Sequence, residues 1–218
     1  VKCSSCSADV KPIVAVDIDG TMGKYHEHFE NFLCLYTGRT IKTGWDGSGN
    51  WEDYLELPRH QYQEAKLAYR QGGWKRWMPP YSHAMDLTHV AQATGAEVWV
   101  TTTRPYNRLD NIDPDTQEWL RRNNIAYDKL LYDGQKYEEL ARQVDPERVA
   151  FVLEDLPSQY LTATVLFKPY TTFMIHRPHN VSFRKSRQGM PTFCNAPDLK
   201  EAMKCMDLNL NVWQKNHA

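Results

Sequence analysis

IVAVDIDGT, residues 13–21, runs four apolar residues into two acids separated by one residue, followed by a glycine and a threonine. An apolar run without polar alternation reads as a strand covered on both faces, the kind found inside a parallel sheet. Strict alternation beyond its end would put Asp17 and Asp19 on one face and Ile18 on the other. Two carboxylates that close are costly away from water, and each raises the other's pKa. The stretch therefore demands a cation, a shared proton or open solvent.

Outward from it the chain alternates. HEHFENFLCLYTG (26–38) places Phe29, Phe32, Leu33 and Tyr36 at helical spacing and stops at Gly38. Between about 40 and 80 the pattern loosens. Trp45, Trp51, Trp74 and Trp77 lie among Gly, Asn and charged residues around the helix-like PRHQYQEAKLAYRQGG (58–73), which reads as an inserted subdomain. SHAMDLTHVAQATG (82–95) predicts a helix with Ser82 as its cap, and AEVWVTTTRP (96–105) a second buried strand ending in threonines. A helix over about 113–124 follows, then strand KLLYD (129–133), helix QKYEELARQV (135–144) and strand RVAFVLED (148–155), again ending in acids. PSQYLTATVLF (157–167) and TTFMIHRP (171–178) predict one more helix and one more strand. Strand and helix in alternation call for an α/β fold with a parallel sheet covered by helices on both faces.

With 218 residues, 41% of them hydrophobic, the chain is long enough for one sizeable core and a small insertion. Its 26 Lys plus Arg against 27 Asp plus Glu leave a net charge of -1, so no global field attracts nucleic acid or an anionic membrane. No window approaches the roughly 18 apolar residues of a spanning helix. VKCSSCSADVKP (1–12) lacks the apolar stretch of a signal peptide, so the expectation is a soluble cytoplasmic protein without membrane partners. Five cysteines read as reduced thiols, although Cys3 and Cys6 have knuckle spacing and Cys194 and Cys205 would complete a four-thiolate zinc site. FCNAPDLKEAMKCM (193–206) reads equally well as a helix carrying an apolar thiol.

Ligands of parallel sheets sit at the carboxyl ends of the strands. There the sequence collects Asp17, Asp19, Gly20 and Thr21, then Thr101, Thr102 and Thr103, then Glu154 and Asp155. Carboxylates converging in that way make an oxygen site for a hard cation, and Mg2+ suits it because it binds few carboxylates plus a substrate phosphate. The cation would let Asp17 stay ionised and attack phosphorus, while Asp19 supplies a proton to the departing oxygen. The Thr102 hydroxyl and the ammonium of Lys136, with Lys129 in reserve, would meet charge on the phosphoryl oxygens.

VAVDIDGT, VWVTTTRP, Lys136 and AFVLEDLP resemble, in order, the four motifs of the haloacid dehalogenase-like phosphohydrolase superfamily. The resemblance spans roughly residues 10–180. It implies a Rossmann-like three-layer core with a small, mainly helical cap after the first strand, Mg2+ as cofactor and an aspartyl-phosphate intermediate. Asp17 would be nucleophile, Asp19 acid then base, and Asp155 a metal ligand beside Asp17, Glu154 and Asp19, the last through its main-chain carbonyl. Thr21, Thr102, Thr103, Arg104 and Lys136 would bind substrate. The helical insertion, QGGWKRWMPPYSHA leading out of it and FMIHRPHN beyond the fourth motif are similar to those of 5'(3')-deoxyribonucleotidases, which implies a nucleotide substrate. The core is expected at 10–38 and 80–185, the cap at 39–79, and terminal segments at 1–9 and 186–218.

HRPHNVSFRKSRQ (176–188) carries His176, Arg177, His179, Arg184, Lys185 and Arg187 and reads as a solvated basic loop. It is the one patch suited to a longer nucleic acid, and it defines a second reading, a polynucleotide 3'-phosphatase. A third, of another class, is a phosphate- or partner-binding module without turnover.

Overall fold

The computed structural model describes residues 10–217. Its strands are β1 (Ile13–Asp17), β2 (Glu97–Thr102), β3 (Lys129–Tyr132), β4 (Val149–Glu154), β5 (Thr172–Ile175) and β6 (Asn195–Ala196). They form one sheet in the order β3-β2-β1-β4-β5-β6, parallel throughout. β1, whose five residues are all buried, lies between β2 and β4, as its unbroken apolar run requires.

The helices are α1 (Tyr25–Thr37), α2 (Trp51–Tyr54), α3 (Arg59–Gln71), α4 (Ala84–Ala93), α5 (Ile112–Arg122), α6 (Lys136–Gln143), α7 (Pro157–Leu166), α8 (Val181–Arg187) and α9 (Leu199–His217). Alternation along the strands assigns the two faces. Val14, Val16, Val98 and Val100 pack with Leu87 of α4, Trp119 of α5 and Met206 of α9. Ile13, Ala15, Trp99 and Val152 pack with Tyr137 and Leu140 of α6 and Ala163 of α7. Each fully buried Val, Ile or Leu of these layers contributes about 1.5–3 kcal/mol. Among the described residues no helix is long and apolar enough to cross a membrane.

The insertion leaves and rejoins the core through one seam. Lys24 N donates to Pro79 O at 2.9 Å and Tyr81 N to Met22 O at 2.8 Å. A Cβ at Gly23 would push the end of the Met78 side chain aside, so the chain crosses here in close contact with it. Phe29, Phe32 and Leu33 of α1 join Trp51, Leu55, Tyr62, Ala65 and Tyr69 in a cluster separate from the sheet's core. Helix α1 thus packs with the inserted residues, although its glycine stop suggested a boundary at 38/39; its apolar face meets Trp51, residues of α3 and the connecting Ile41, Leu55 and Leu57.

Two further readings change. The cap position of α4 falls on His83 in left-handed conformation, and no side chain, Ser82 included, caps the helix end. Residues 186–218, expected as a terminal segment, supply β6 and α9. Leu199, Ala202, Met206, Leu210 and Trp213 recur at helical spacing and close one sheet face, while β6 pairs with β5. Cys194 and Cys205 carry free, half-buried thiols packed against that core, and Cys3 and Cys6 lie outside the described residues.

Candidate active site

The connections from β1 and β4 depart to opposite sides, so the carboxyl ends of these adjacent strands open a crevice. Asp17 ends β1 and Glu154 ends β4, with Asp155 next in the chain. Oxygens of Asp17, Glu154 and Asp155 all lie within 4.8 Å of one another, in full burial. Lys136, at the start of α6 and wholly buried, reaches Asp17 Oδ1 at 2.5 Å and Glu154 Oε2 at 2.7 Å. Lys129 is exposed at the opposite, amino end of β3. Burial pushes the Asp17 carboxyl well above the ordinary range; Lys136 opposes this, and the carboxylates of Glu154 and Asp155 add to the rise.

Glu154 has little capacity left for another partner. Its Oε1 accepts from the backbone N–H groups of Asp155 and Leu156 at 3.0 and 2.9 Å, and its Oε2 accepts from Tyr137 Oη at 2.7 Å as well as from Lys136. Asp155 differs. Its Oδ1 accepts from Thr21 Oγ1 at 2.9 Å, and its Oδ2 is enclosed without a hydrogen bond. A Cβ on Gly20, whose φ is 96°, would strike that carboxylate, so glycine is what lets the first motif close over it.

Asp19 points elsewhere. Arg104 Nε and Nη2 grip it at 2.9 and 2.5 Å, and Lys75, buried in the 3-10 turn Trp74–Trp77 that leaves the insertion, pairs with its Oδ2. Burial alone would raise the Asp19 carboxyl, but Arg104 and Lys75 hold it below the usual carboxylate range. Burial also pulls the Lys75 ammonium down to about 7 against the attraction of Asp19. The Asp19 carboxylate is not among the three oxygens gathered around Asp17. Thr102 is buried and accepts from Arg104 N at 3.3 Å, Thr103 is exposed beside it, and Thr21 is buried against Asp155. Arg104 is fixed from behind by Thr116 Oγ1 at 2.9 Å.

Lys75 was not singled out from sequence, and Arg177, His179 and Asn180 were not assigned to the site. Lys75 sits in QGGWKRWMPP, where one lysine among tryptophans carries no pattern. Arg177, His179 and Asn180 belong to the stretch read as a solvated loop, yet all three are buried. Arg177 donates to the carbonyls of Gly20 and Thr21 at 2.6 and 2.7 Å, pinning the first motif. Asn180 Nδ2 donates to Asp155 O at 2.8 Å and Ile175 O at 2.9 Å. His179 Nε2 lies 2.6 Å from Asp155 Oδ2. The signal was Pro178 and Asn180 directly after a buried strand, a pattern that turns the chain back over the sheet's end.

The donors fit a hard dication. Asp17, Glu154 and Asp155 put three carboxylates against the one ammonium of Lys136, an excess of negative charge in a buried place, and Asp155 Oδ2 has no hydrogen bond. Arg104, which grips Asp19, also lines a cavity of about 370 Å³ together with Arg70, Thr103, Tyr106, Arg108 and Tyr132.

The sequence matches no family model and no curated protein. Solved structures do match. A haloacid dehalogenase-like family hydrolase from Streptococcus pneumoniae superposes with a TM-score of 0.57 at 13% identity, over 88% of this chain and 96% of that one. A predicted phosphatase from Clostridium acetobutylicum gives 0.61 at 13% identity, over 89% and 97%. The chain has the haloacid dehalogenase-like fold. A third structure of this fold, D,D-heptose 1,7-bisphosphate phosphatase from B. bronchiseptica complexed with magnesium and phosphate, gives 0.52 at 10% identity, over 94% and 99%. At these identities the haloacid dehalogenase-like fold alone is shared.

Proposed function

We propose that this protein is a Mg2+-dependent phosphomonoesterase that forms an aspartyl-phosphate on Asp17, and that its substrates are nucleoside monophosphates. The observation that carries the enzymatic reading is the enclosure of Asp17 with Lys136, Glu154 and Asp155 at the end of the central strand. The magnesium and phosphate bound by the B. bronchiseptica phosphatase support the choice of ion.

Asp17 Oδ1 is tied to Lys136, which leaves Oδ2 to attack phosphorus while the bond to the leaving oxygen breaks. Lys136, itself held by Glu154, meets charge on the phosphoryl oxygens; Glu154 serves by positioning that lysine. Asp17 and Asp155 would hold Mg2+, which when bound lowers the repulsion between carboxylate and phosphate. We assign the leaving group's proton to Asp19. It reaches its acid form only when incoming phosphoryl oxygens draw Lys75 or Arg104 off it, since both hold it ionised now. Asp19, once deprotonated, accepts a proton from water as that water attacks the aspartyl-phosphate, releasing phosphate and restoring Asp17.

The cavity that shares Arg104 with Asp19 supports the nucleotide. Tyr106 is 46% exposed and its ring lies 4.9 Å from that of Tyr132 at a 30° tilt, giving an aromatic platform lined with arginines. Stacking of a base on such a platform contributes about 1–3 kcal/mol. The polynucleotide reading keeps only part of its surface. Arg177 and His179 face inward and Arg184 Nε donates to Asn180 Oδ1 at 2.8 Å, which leaves Lys185 as the loop's fully exposed basic residue.

The test is phosphate release from 5'- and 3'-mononucleotides, phosphosugars and 3'-phosphorylated oligonucleotides, with Mg2+ or chelator and at two salt concentrations. Mononucleotides are expected to lead, with Mg2+ dependence and a shallow salt response. Faster turnover of phosphosugars, or an oligonucleotide preference that collapses with salt, overturns the substrate. No release from any of them overturns the enzyme.

A further inference from the structure

We propose that His26, His179 and Asp155 form a second cation site, one that takes a zinc-class transition-metal ion and competes with Mg2+ for Asp155. The binding half stands on the geometry alone; the competition half rests on the phosphatase reading above.

His26 lies in the first turn of α1, and His179 in the 3-10 turn Pro178–Asn180 that follows β5. Their rings stack with centroids 4.0 Å apart, and one ligating atom from each of His26, His179 and Asp155 lies within 4.8 Å of the other two. His179 Nε2 and Asp155 Oδ2 are 2.6 Å apart and enclosed, an ion-pair contact whose angles are poor for a hydrogen bond. Two lone-pair donors brought together in this way share either a proton or a metal ion, and the third donor, His26, suits the metal ion. Two imidazolium rings at this distance would repel; a metal ion needs both rings neutral and so removes the conflict.

The site is also built from behind. Asn180 fixes the turn to the backbone of Asp155 and Ile175. The His179 carbonyl abuts Gly47 so closely that a Cβ there would clash. Mg2+ prefers oxygen throughout, whereas two imidazoles and a carboxylate make a zinc set, and zinc outranks magnesium on nitrogen donors. Because Asp155 belongs both to this set and to the one around Asp17, an ion on the histidines withdraws a carboxylate from the Mg2+ side. Zinc is then an inhibitor of the magnesium reaction.

The test uses the full chain carrying Cys3→Ser and Cys6→Ser, so that those thiolates add no binding. Zn2+ affinity is measured against a chromophoric chelator in millimolar Mg2+, and Co2+ is added as a spectroscopic probe. One tight equivalent and a visible Co2+ band without thiolate charge transfer are expected. His26→Ala and His179→Ala should each weaken Zn2+ by roughly 100-fold or more. His26→Gln, which keeps the volume, checks that the loss is of a ligand and not of the fold, and thermal melts accompany every variant. Unchanged affinity in both histidine variants, or no tight equivalent, overturns the site. Inhibition of phosphate release by Zn2+, relieved in His26→Ala, supports the competition; tight zinc without inhibition overturns that half alone. A chain that binds zinc as stated but releases no phosphate keeps the site and loses the phosphatase.

Discussion

Asp17 and Asp19 are two residues apart and live in opposite electrostatic worlds. Asp17 faces the floor of the crevice, where burial and the carboxylates of Glu154 and Asp155 outweigh one lysine, and its carboxyl is raised. Asp19 faces the wall, where Arg104 grips it with two nitrogens and Lys75 adds a third contact, and its carboxyl is lowered. The floor is short of positive charge and the wall is rich in it. The end of the strand between the two aspartates thus sets a place that attracts a dication beside a place that attracts an anion, the two needs of a phosphoryl group and its counter-ion.

The comparison breaks most simply at Asp17. Asp17→Asn should lower kcat at least about 10³-fold, since it deletes the attacking oxygen and leaves the volume unchanged. Lys136 stays paired with Glu154 at 2.7 Å, so thermal melting should match the parent. Substantial phosphate release by a folded Asp17→Asn would remove Asp17 from the mechanism.

Lys136→Met tests the floor's charge balance. Two buried carboxylates lose their cation together, which costs about 3–5 kcal/mol of stability and about 10²-fold in turnover. Millimolar Mg2+ should recover part of the melting temperature, because the ion would relieve the same excess. If Mg2+ shifts the melting of neither parent nor variant, the floor is no cation site.

Asp19→Asn probes the wall. The expected loss is about 10²-fold on alkyl phosphates and about 10-fold or less on activated aryl phosphates, since only the former need a proton for the departing oxygen. Equal losses in a series of leaving groups would make Asp19 an anchor for Arg104 and Lys75 and nothing more.

The floor could be read from sequence because strands deliver it. An unbroken apolar run that ends in acid names its last residue, and parallel strands bring such ends together, so Asp17, Glu154 and Asp155 follow from hydrophobicity and chain order. Of the wall only Arg104, just past the second strand, could be read in that way. Lys75 arrives from a one-turn helix inside the insertion and Arg177 from a turn after β5, and both side chains are buried by tertiary packing that leaves no period in the sequence. Arg177 shows the cost: six basic residues in one stretch suggest solvent, and only the carbonyls of Gly20 and Thr21 explain why this one turns inward. Helix α9 was missed as part of the sheet's cover for a related reason, since β6 is two residues long and announces no strand.

Glu30 extends the contrast to an acid with no cation at all. It is buried on α1, and burial pushes its carboxyl up to about 7, with a smaller addition from Glu27. The folded protein therefore holds a proton there that the unfolded chain, near the ordinary 4.5, has already released. Below that lower value the contribution is complete. As pH rises through the window the unfolded state carries fewer protons, the slope of unfolding free energy with pH is negative, and stability is lost by about pH 7. Glu30→Gln stays neutral throughout, so its melting temperature should gain on the parent's as pH rises across that window, by a few degrees at most. Parallel melting curves for the two proteins would mean that Glu30 is solvated in the fold. The distinction between floor and wall would then rest on the two aspartates alone.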